Sequence, residues 1–184
     1  MTVTPIAVLD ADVLFPMILR DTLLRVAAAG CFRVHWSAKI LDEVGRNLID
    51  QHRMDASKAA SLMLAMEAAF PDAMVEGWET LEAKMPNHPK DRHVAAAAKK
   101  AGAGIVVTSN LKDFSTMPDG IVAMSPDAFL TELLNDDPDP VLVALHKQAA
   151  GYRNPATTTV DLVDWLATVV PDFSRAVKAL LPGT

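Results

Sequence analysis

The sequence holds a single cysteine, Cys31, among 184 residues. One thiol cannot close an internal disulfide, and neither C-x-x-C nor H-E-x-x-H spacing occurs, so a disulfide scaffold and a structural zinc site are both excluded. No uninterrupted apolar run approaches the roughly 18 residues of a membrane helix. The N-terminal MTVTPIAVLDAD has no basic region and turns acidic at once, so a reduced, soluble, cytoplasmic chain with no leader and no membrane association is expected. Positive charge is short as well: 17 Lys+Arg stand against 23 Asp+Glu, a net charge of −6. That argues against a large non-specific basic surface for DNA while leaving room for a local groove. A G-x-S-x-G nucleophile turn is absent, and Gly102-Ala103-Gly104 precedes a strand and lacks the third glycine of a dinucleotide loop. Internal repeats and low-complexity tracts are missing too. The hydrophobic share, 51%, is ample for a core and excludes global disorder.

What is present alternates between strand and helix signals. Ile6–Leu9 is a short apolar run ending in Asp10-Ala11-Asp12, followed by a helical pattern through Leu14, Ile18, Leu23 and Val26 that stops near Gly30. Phe32–Trp36 reads as a second strand. Ser37 is a fitting N-cap for a helix through Ile40, Leu41, Val44 and Leu48, and Asp55 or Ser57 opens another, rich in Ala and Met, expected to be core. A strand over 73–76, a helix over 78–85 and a polar loop at 86–90 follow. Asp91 opens the helix DRHVAAAAKKAG, which ends at Gly102. Residues 104–108 (GIVVT) form the strongest strand signal, a run apolar on both faces, as in a parallel sheet. Residues 121–124 are a weaker strand, and Ser125-Pro126-Asp127 opens a helix. Beyond Asp136-Asp137-Pro138 three helical stretches follow, over 141–152, 160–168 and 172–181. The pattern predicts an α/β fold with a central parallel sheet flanked by helices, residues 1–135, and a helical extension, residues 136–184.

In such a sheet, reactive groups sit beyond the carboxyl ends of the strands. That places Asp10 and Asp12 after the first strand, Asn110 and Asp113 after the strand 104–108, and Asp91 at the start of the helix feeding it. At 100° per residue Glu43 falls on the border of its helix's apolar face while Asp42 looks at water. Each residue alone has a bland reading: Asp91 as a helix cap, Glu43 as a solvated acid, Asp113 and Asn110 as turn residues. Asp10 resists one, because a charge directly after a buried strand is costly unless partnered. Carboxylates sharing a cleft repel one another and persist where a cation offsets the repulsion. An oxygen-only set suits Mg²⁺ or Mn²⁺, and the implied chemistry is metal-dependent phosphate-ester hydrolysis. The histidines read as structural, with His93 nearest a site because it follows Asp91 by two; Trp36, Trp78 and Trp165 read as core.

The segments VLDADVL, S-x-x-I-L-D-E-V, D-R-H-V-A-A-A-A and I-V-V-T-S-N-L-K-D-F, in this order, resemble the PIN-domain ribonucleases, and among them the VapC-type toxins of bacterial toxin–antitoxin pairs. The resemblance spans roughly residues 6–130. It implies a catalytic acidic site at Asp10, Glu43 and Asp91, completed by Asp113 or by Asn110, which stands where the family often has an aspartate. Asp12 adds an acid where the family has Asn, Ser or Thr, and Ser37 and Thr108 match supporting hydroxyl positions. Implied further are RNA cleavage by metal-activated water, Mg²⁺ or Mn²⁺ as cofactor, a cognate antitoxin and a homodimer. Lys90, Arg92, Lys112 and Arg46 lie near the acids in sequence as candidate phosphate contacts. Two alternatives stand beside this: a haloacid-dehalogenase-like phosphatase with Asp10 as nucleophile and Asp12 as acid/base, and an inactive PIN-like binding module.

Overall fold

Ala7, Val8 and Leu9 are shut off from solvent, the burial expected of a strand covered on both faces. In the computed structural model, which describes residues 4–181, they lie in β1 (Ile6–Leu9). The chain continues through α1 (Ala11–Leu14), α2 (Met17–Ala28), β2 (Arg33–His35), α3 (Ala38–Asp50), α4 (Ala56–Ala69), α5 (Glu79–Glu82), α6 (Arg92–Ala101), β3 (Ile105–Val107), β4 (Val122–Met124), α7 (Pro126–Asp136), α8 (Pro138–Gly151), α9 (Thr159–Leu166) and α10 (Pro171–Leu180). The four strands form one parallel sheet in the order β2-β1-β3-β4. Val8 stands opposite His35 and Val106, Leu9 opposite Val107, and Val107 opposite Met124. All strands therefore end along one edge, where Asp10 N–H bonds the Val107 carbonyl at 3.0 Å and Thr108 N–H the Met124 carbonyl at 3.0 Å.

Among the described residues the chain forms two compact units, one of Pro5–Phe15 and Arg33–Met124, the other including Pro16–Phe32 and residues 125–181. The first holds the whole sheet. Ser37 caps α3, its hydroxyl accepting from Ile40 N–H at 3.3 Å, and Ile40, Leu41, Val44 and Leu48 make its buried face. The alanine run of α6 has a packing reason beyond helix propensity. Ala95, Ala96, Ala97 and Ala98 are all buried, with the helix set against β1 and β3 and against α5, and Val75, Trp78 and Met85 packing on its alanines. Side chains that stop at Cβ let one helix approach neighbours on both sides. Gly102 ends it at φ +65°, a left-handed conformation that favours glycine.

Three local expectations are corrected. The helix predicted through Leu14 to Val26 is two helices, because Pro16 has no N–H to donate and its ring crowds the preceding turn. The strand over 73–76 is a single bridge, Trp36 to Met74, within a short stretch that Gly77 turns away at φ +71°. And α4 is not core: Leu64 is 65% exposed and only Ala59 and Met66 are buried, since an Ala and Met composition carries no facing information.

In the second unit α2 packs against α8, and α10 against α7 and α9. A polar knot joins α2 to α8: Thr22 Oγ1 donates to Gln148 Oε1 at 2.8 Å, Gln148 Nε2 donates to the Ile18 carbonyl at 3.1 Å, and Tyr152 OH donates to Asp21 Oδ2 at 3.0 Å. Asp127, in the first turn of α7, accepts from the Asp172 and Phe173 N–H groups at 3.1 and 2.8 Å and so caps α10. Trp165, expected in the core, is 41% exposed, with Tyr152 6.4 Å from its ring.

Candidate active site

Where β1 ends, Asp10 turns the chain into α1 as its N-cap, Oδ1 accepting from Ala11 N–H at 2.7 Å. Its other oxygen, Oδ2, accepts from Thr108 Oγ1 at 2.9 Å. Asp12 meets the same hydroxyl at 3.3 Å and takes Ser109 N–H at 3.0 and 3.2 Å on its two oxygens. A hydroxyl has one hydrogen to donate, so two carboxylates compete for it. Burial, then the neighbouring Asp12, push the Asp10 carboxyl up to about 7, with Asp91 adding repulsion and the Thr108 and Ala11 bonds opposing it. Burial raises Asp12 as well, against the bonds from Ser109, Thr108 and Asn110, and Asp91 adds to the rise.

Asp91 stands at the N-cap of α6, yet its side chain makes no capping bond among the described residues. Its Oδ2 is buried with no hydrogen-bond partner among them. His88 Nδ1 lies 3.9 Å away, beyond bonding distance, and already accepts from Lys90 N–H at 3.3 Å. Burial raises the Asp91 carboxyl, Lys90 opposes, and Asp113 raises it further. Asp10 thus feels both Asp12 and Asp91, Asp12 feels Asp91, and Asp91 feels Asp113. Asp113 sits in the turn after β3, its Oδ2 accepting from Asn110 Nδ2 at 2.7 Å, so Asn110 and Asp113 form one polar pair.

Glu43 has a partner of its own. It reaches from α3 to α6, where its Oε1 lies 3.2 Å from His93 Nε2. Burial alone would raise its carboxyl, but the His93 bond and the nearby His93, Lys39 and Arg46 outweigh it and hold the carboxyl below its ordinary value. Of the other basic candidates, Arg92 gives its Nε to the Asn87 carbonyl at 3.2 Å and so ties the loop ahead of Asp91. Sequence reasoning missed the bond from Glu43 to His93 and the grip of Asp12 on Ser109. Only the closeness of His93 to Asp91 in the chain hinted at the first.

Among the described residues no three His, Cys, Asp or Glu side chains gather into a ready-made metal cage. The donors nonetheless fit a hard divalent cation. They are oxygens, they repel one another, and Asp91 Oδ2 is a buried acceptor with no hydrogen-bond donor among the described residues.

Comparison with known proteins bears on the same residues. The PIN domain family matches residues 7–112, a segment that contains Asp10, Asp12, Glu43, Asp91, His93, Thr108 and Asn110. The VapC50 C-terminal domain family matches residues 126–179. The "Putative ribonuclease VapC50" of Mycobacterium tuberculosis (strain ATCC 25618 / H37Rv) is 36% identical over 114 residues, 60% of this chain and 68% of that protein. No solved structure matches. A parallel sheet with acids at its carboxyl edge, matched over more than half its length, makes this chain a member of the PIN-domain family, and the two VapC50 matches place it with the VapC-type toxins.

Proposed function

We propose that this protein is a metal-dependent endoribonuclease, the toxin of a toxin–antitoxin pair acting in the cytoplasm. The observation that carries the reading is the single Thr108 hydroxyl hydrogen facing both Asp10 and Asp12, together with a buried Asp91 oxygen that has no hydrogen-bond donor among the described residues. Buried carboxylates that repel one another, with so few donors to share, are destabilised until a cation supplies the missing positive charge. The catalytic acids are Asp10, Glu43, Asp91 and Asp113; Asp10, Asp91 and Asp113 with Asn110 would hold Mg²⁺ or Mn²⁺, and Glu43 would complete the set. Such an ion supplies Lewis acidity, lowering the pKa of water and offsetting charge on the phosphate.

The protein's own groups do the rest. Thr108 holds Asp10 Oδ2, and Asp12 fixes Ser109 and with it the turn carrying Asn110 and Asp113. Glu43 orients or deprotonates the attacking water. Lys90 and Lys112, beside the acids in the chain and exposed, meet phosphates. The relative's printed name, a ribonuclease, supports RNA as the substrate. A cognate antitoxin covering the acidic cleft and a homodimer complete the reading. No helix among the described residues is long and apolar enough to cross a membrane.

The test is cleavage of mixed cellular RNA by the purified chain with Mg²⁺ or Mn²⁺ and with EDTA, beside Asp91→Asn and a generic phosphatase substrate. Metal-dependent cuts that drop at least about a hundredfold in Asp91→Asn are expected. Intact RNA with turnover of the phosphatase substrate would sink the nuclease reading.

A further inference from the structure

The most deeply buried titratable side chain among the described residues is His93, 1% exposed on α6. Trp78 lies 6.0 Å from it, centroid to centroid; the Lys39 ammonium sits 5.7 Å over the Trp78 ring and is held by Glu82 at 3.2 Å. The ring's two nitrogens have unequal surroundings. Nε2 faces Glu43 Oε1 at 3.2 Å, whereas Nδ1 is buried with no hydrogen-bond partner among the described residues. A proton on Nδ1 would be a buried donor with nothing to receive it, while a proton on Nε2 is received by Glu43. The surroundings select the Nε2–H form.

We propose that His93 is a positioning residue that fixes the Glu43 carboxylate for the reaction by a hydrogen bond from Nε2. The inference rests on the nuclease reading and adds to it a residue that touches neither substrate nor cation. Glu43 needs such a partner. It stands at the border of the buried face of α3, its side chain 27% exposed, with three rotatable bonds and open solvent on one side. Freed from His93, the carboxylate would spread over rotamers and occupy its working position for a fraction of the time. The bond joins α3 to α6, the helix that begins at Asp91, so one contact sets Glu43 relative to the element carrying Asp91.

The experiment compares the full chain with His93→Phe, His93→Gln, Glu43→Ala and the double variant His93→Phe/Glu43→Ala, measuring kcat and KM on an RNA substrate with Mn²⁺. Phenylalanine keeps the apolar contact with Trp78 and removes the donor; the glutamine amide nitrogen keeps a donor in place of Nε2. Expected for His93→Phe is a fall in kcat of about 10- to 100-fold with KM within threefold, as for other partners that orient active-site groups. His93→Gln recovers most of that loss, and His93→Phe adds nothing in the Glu43→Ala background. Equal loss in His93→Phe and His93→Gln, a loss confined to KM, or additive losses in the double variant would overturn the proposal. Ring-nitrogen NMR of the folded protein decides independently of activity: Nε2 carries the proton, and its signal moves in Glu43→Ala. If the wild-type chain leaves RNA intact, the nuclease reading fails; if the proton sits on Nδ1 or the signal ignores Glu43, the positioning inference fails, whatever the activity.

Discussion

Thr108 has one hydroxyl hydrogen and two carboxylates facing it, too little to offset their burial. The Asp10 carboxyl is raised from 3.8 to about 7. It therefore keeps its proton in the folded chain at pH values where the unfolded chain has lost it. Stability from this group is full below about pH 4 and lost as pH rises from about 4 to 7. A tenfold difference in proton affinity between folded and unfolded chain is worth ~1.4 kcal/mol, so in metal-free buffer at pH 8 Asp10→Asn should stabilise the fold by about 2 kcal/mol, allowing for relaxation of the site. The same substitution should abolish RNA cleavage. Denaturant titrations at pH 5 and pH 8 check this, and an equal gain at both would refute it. The place of Asp10 stood out in the sequence because a charge directly after a buried strand is costly unless partnered, whereas Asp91 opening a helix had the inexpensive reading of a cap and stood out only in company with the other acids. The grip of Asp12 on Ser109 was not legible, since it joins residues 97 positions apart; nor was the pairing of Glu43 with His93, which periodicity places on separate faces of separate helices.

Among the elements, β1 and the α3 and α6 helices could be read from the sequence almost to the residue, because each joins a clear hydrophobic pattern to an explicit start or stop: Asp10 after β1, Ser37 before α3, Gly102 after α6. Facing was harder to read. Alanine-rich α6 is buried on nearly all sides, while α4, also rich in alanine, is largely exposed; composition is similar and only the neighbours differ. Asp127 illustrates the same limit. In sequence it is a first-turn acid of α7, yet its carboxylate caps α10, which has no side-chain cap of its own among the described residues. Removing a capping side chain costs about 1 kcal/mol, and Asp127→Ala should lower Tm by roughly 2–4 °C. Thermal melts would show it; an unchanged Tm would mean the two bonds contribute nothing.

At the scale of the molecule, a net charge of −6 sets how RNA is met. Of the four basic residues near the acids in sequence, Arg92 is engaged with the Asn87 carbonyl, leaving Lys90, Lys112 and Arg46. Three phosphate contacts on a single strand give a slope of log affinity against log salt no steeper than about −2. Binding of the cleavage-dead Asp91→Asn chain to RNA at several salt concentrations measures it, and a much steeper slope would reveal a basic surface elsewhere. That α2 groups with the C-terminal helices while the strand before it belongs to the sheet unit was not written in local pattern, for periodicity names a helix's apolar face but not its partner. The burial of Asp10, with Asp12 beside it, has a calorimetric consequence. A cation entering at pH 7 must expel about half a proton from a group titrating near 7. The heat of Mn²⁺ loading should therefore depend on the ionisation enthalpy of the buffer, and titrations in phosphate and in Tris should differ by about half the difference between the two.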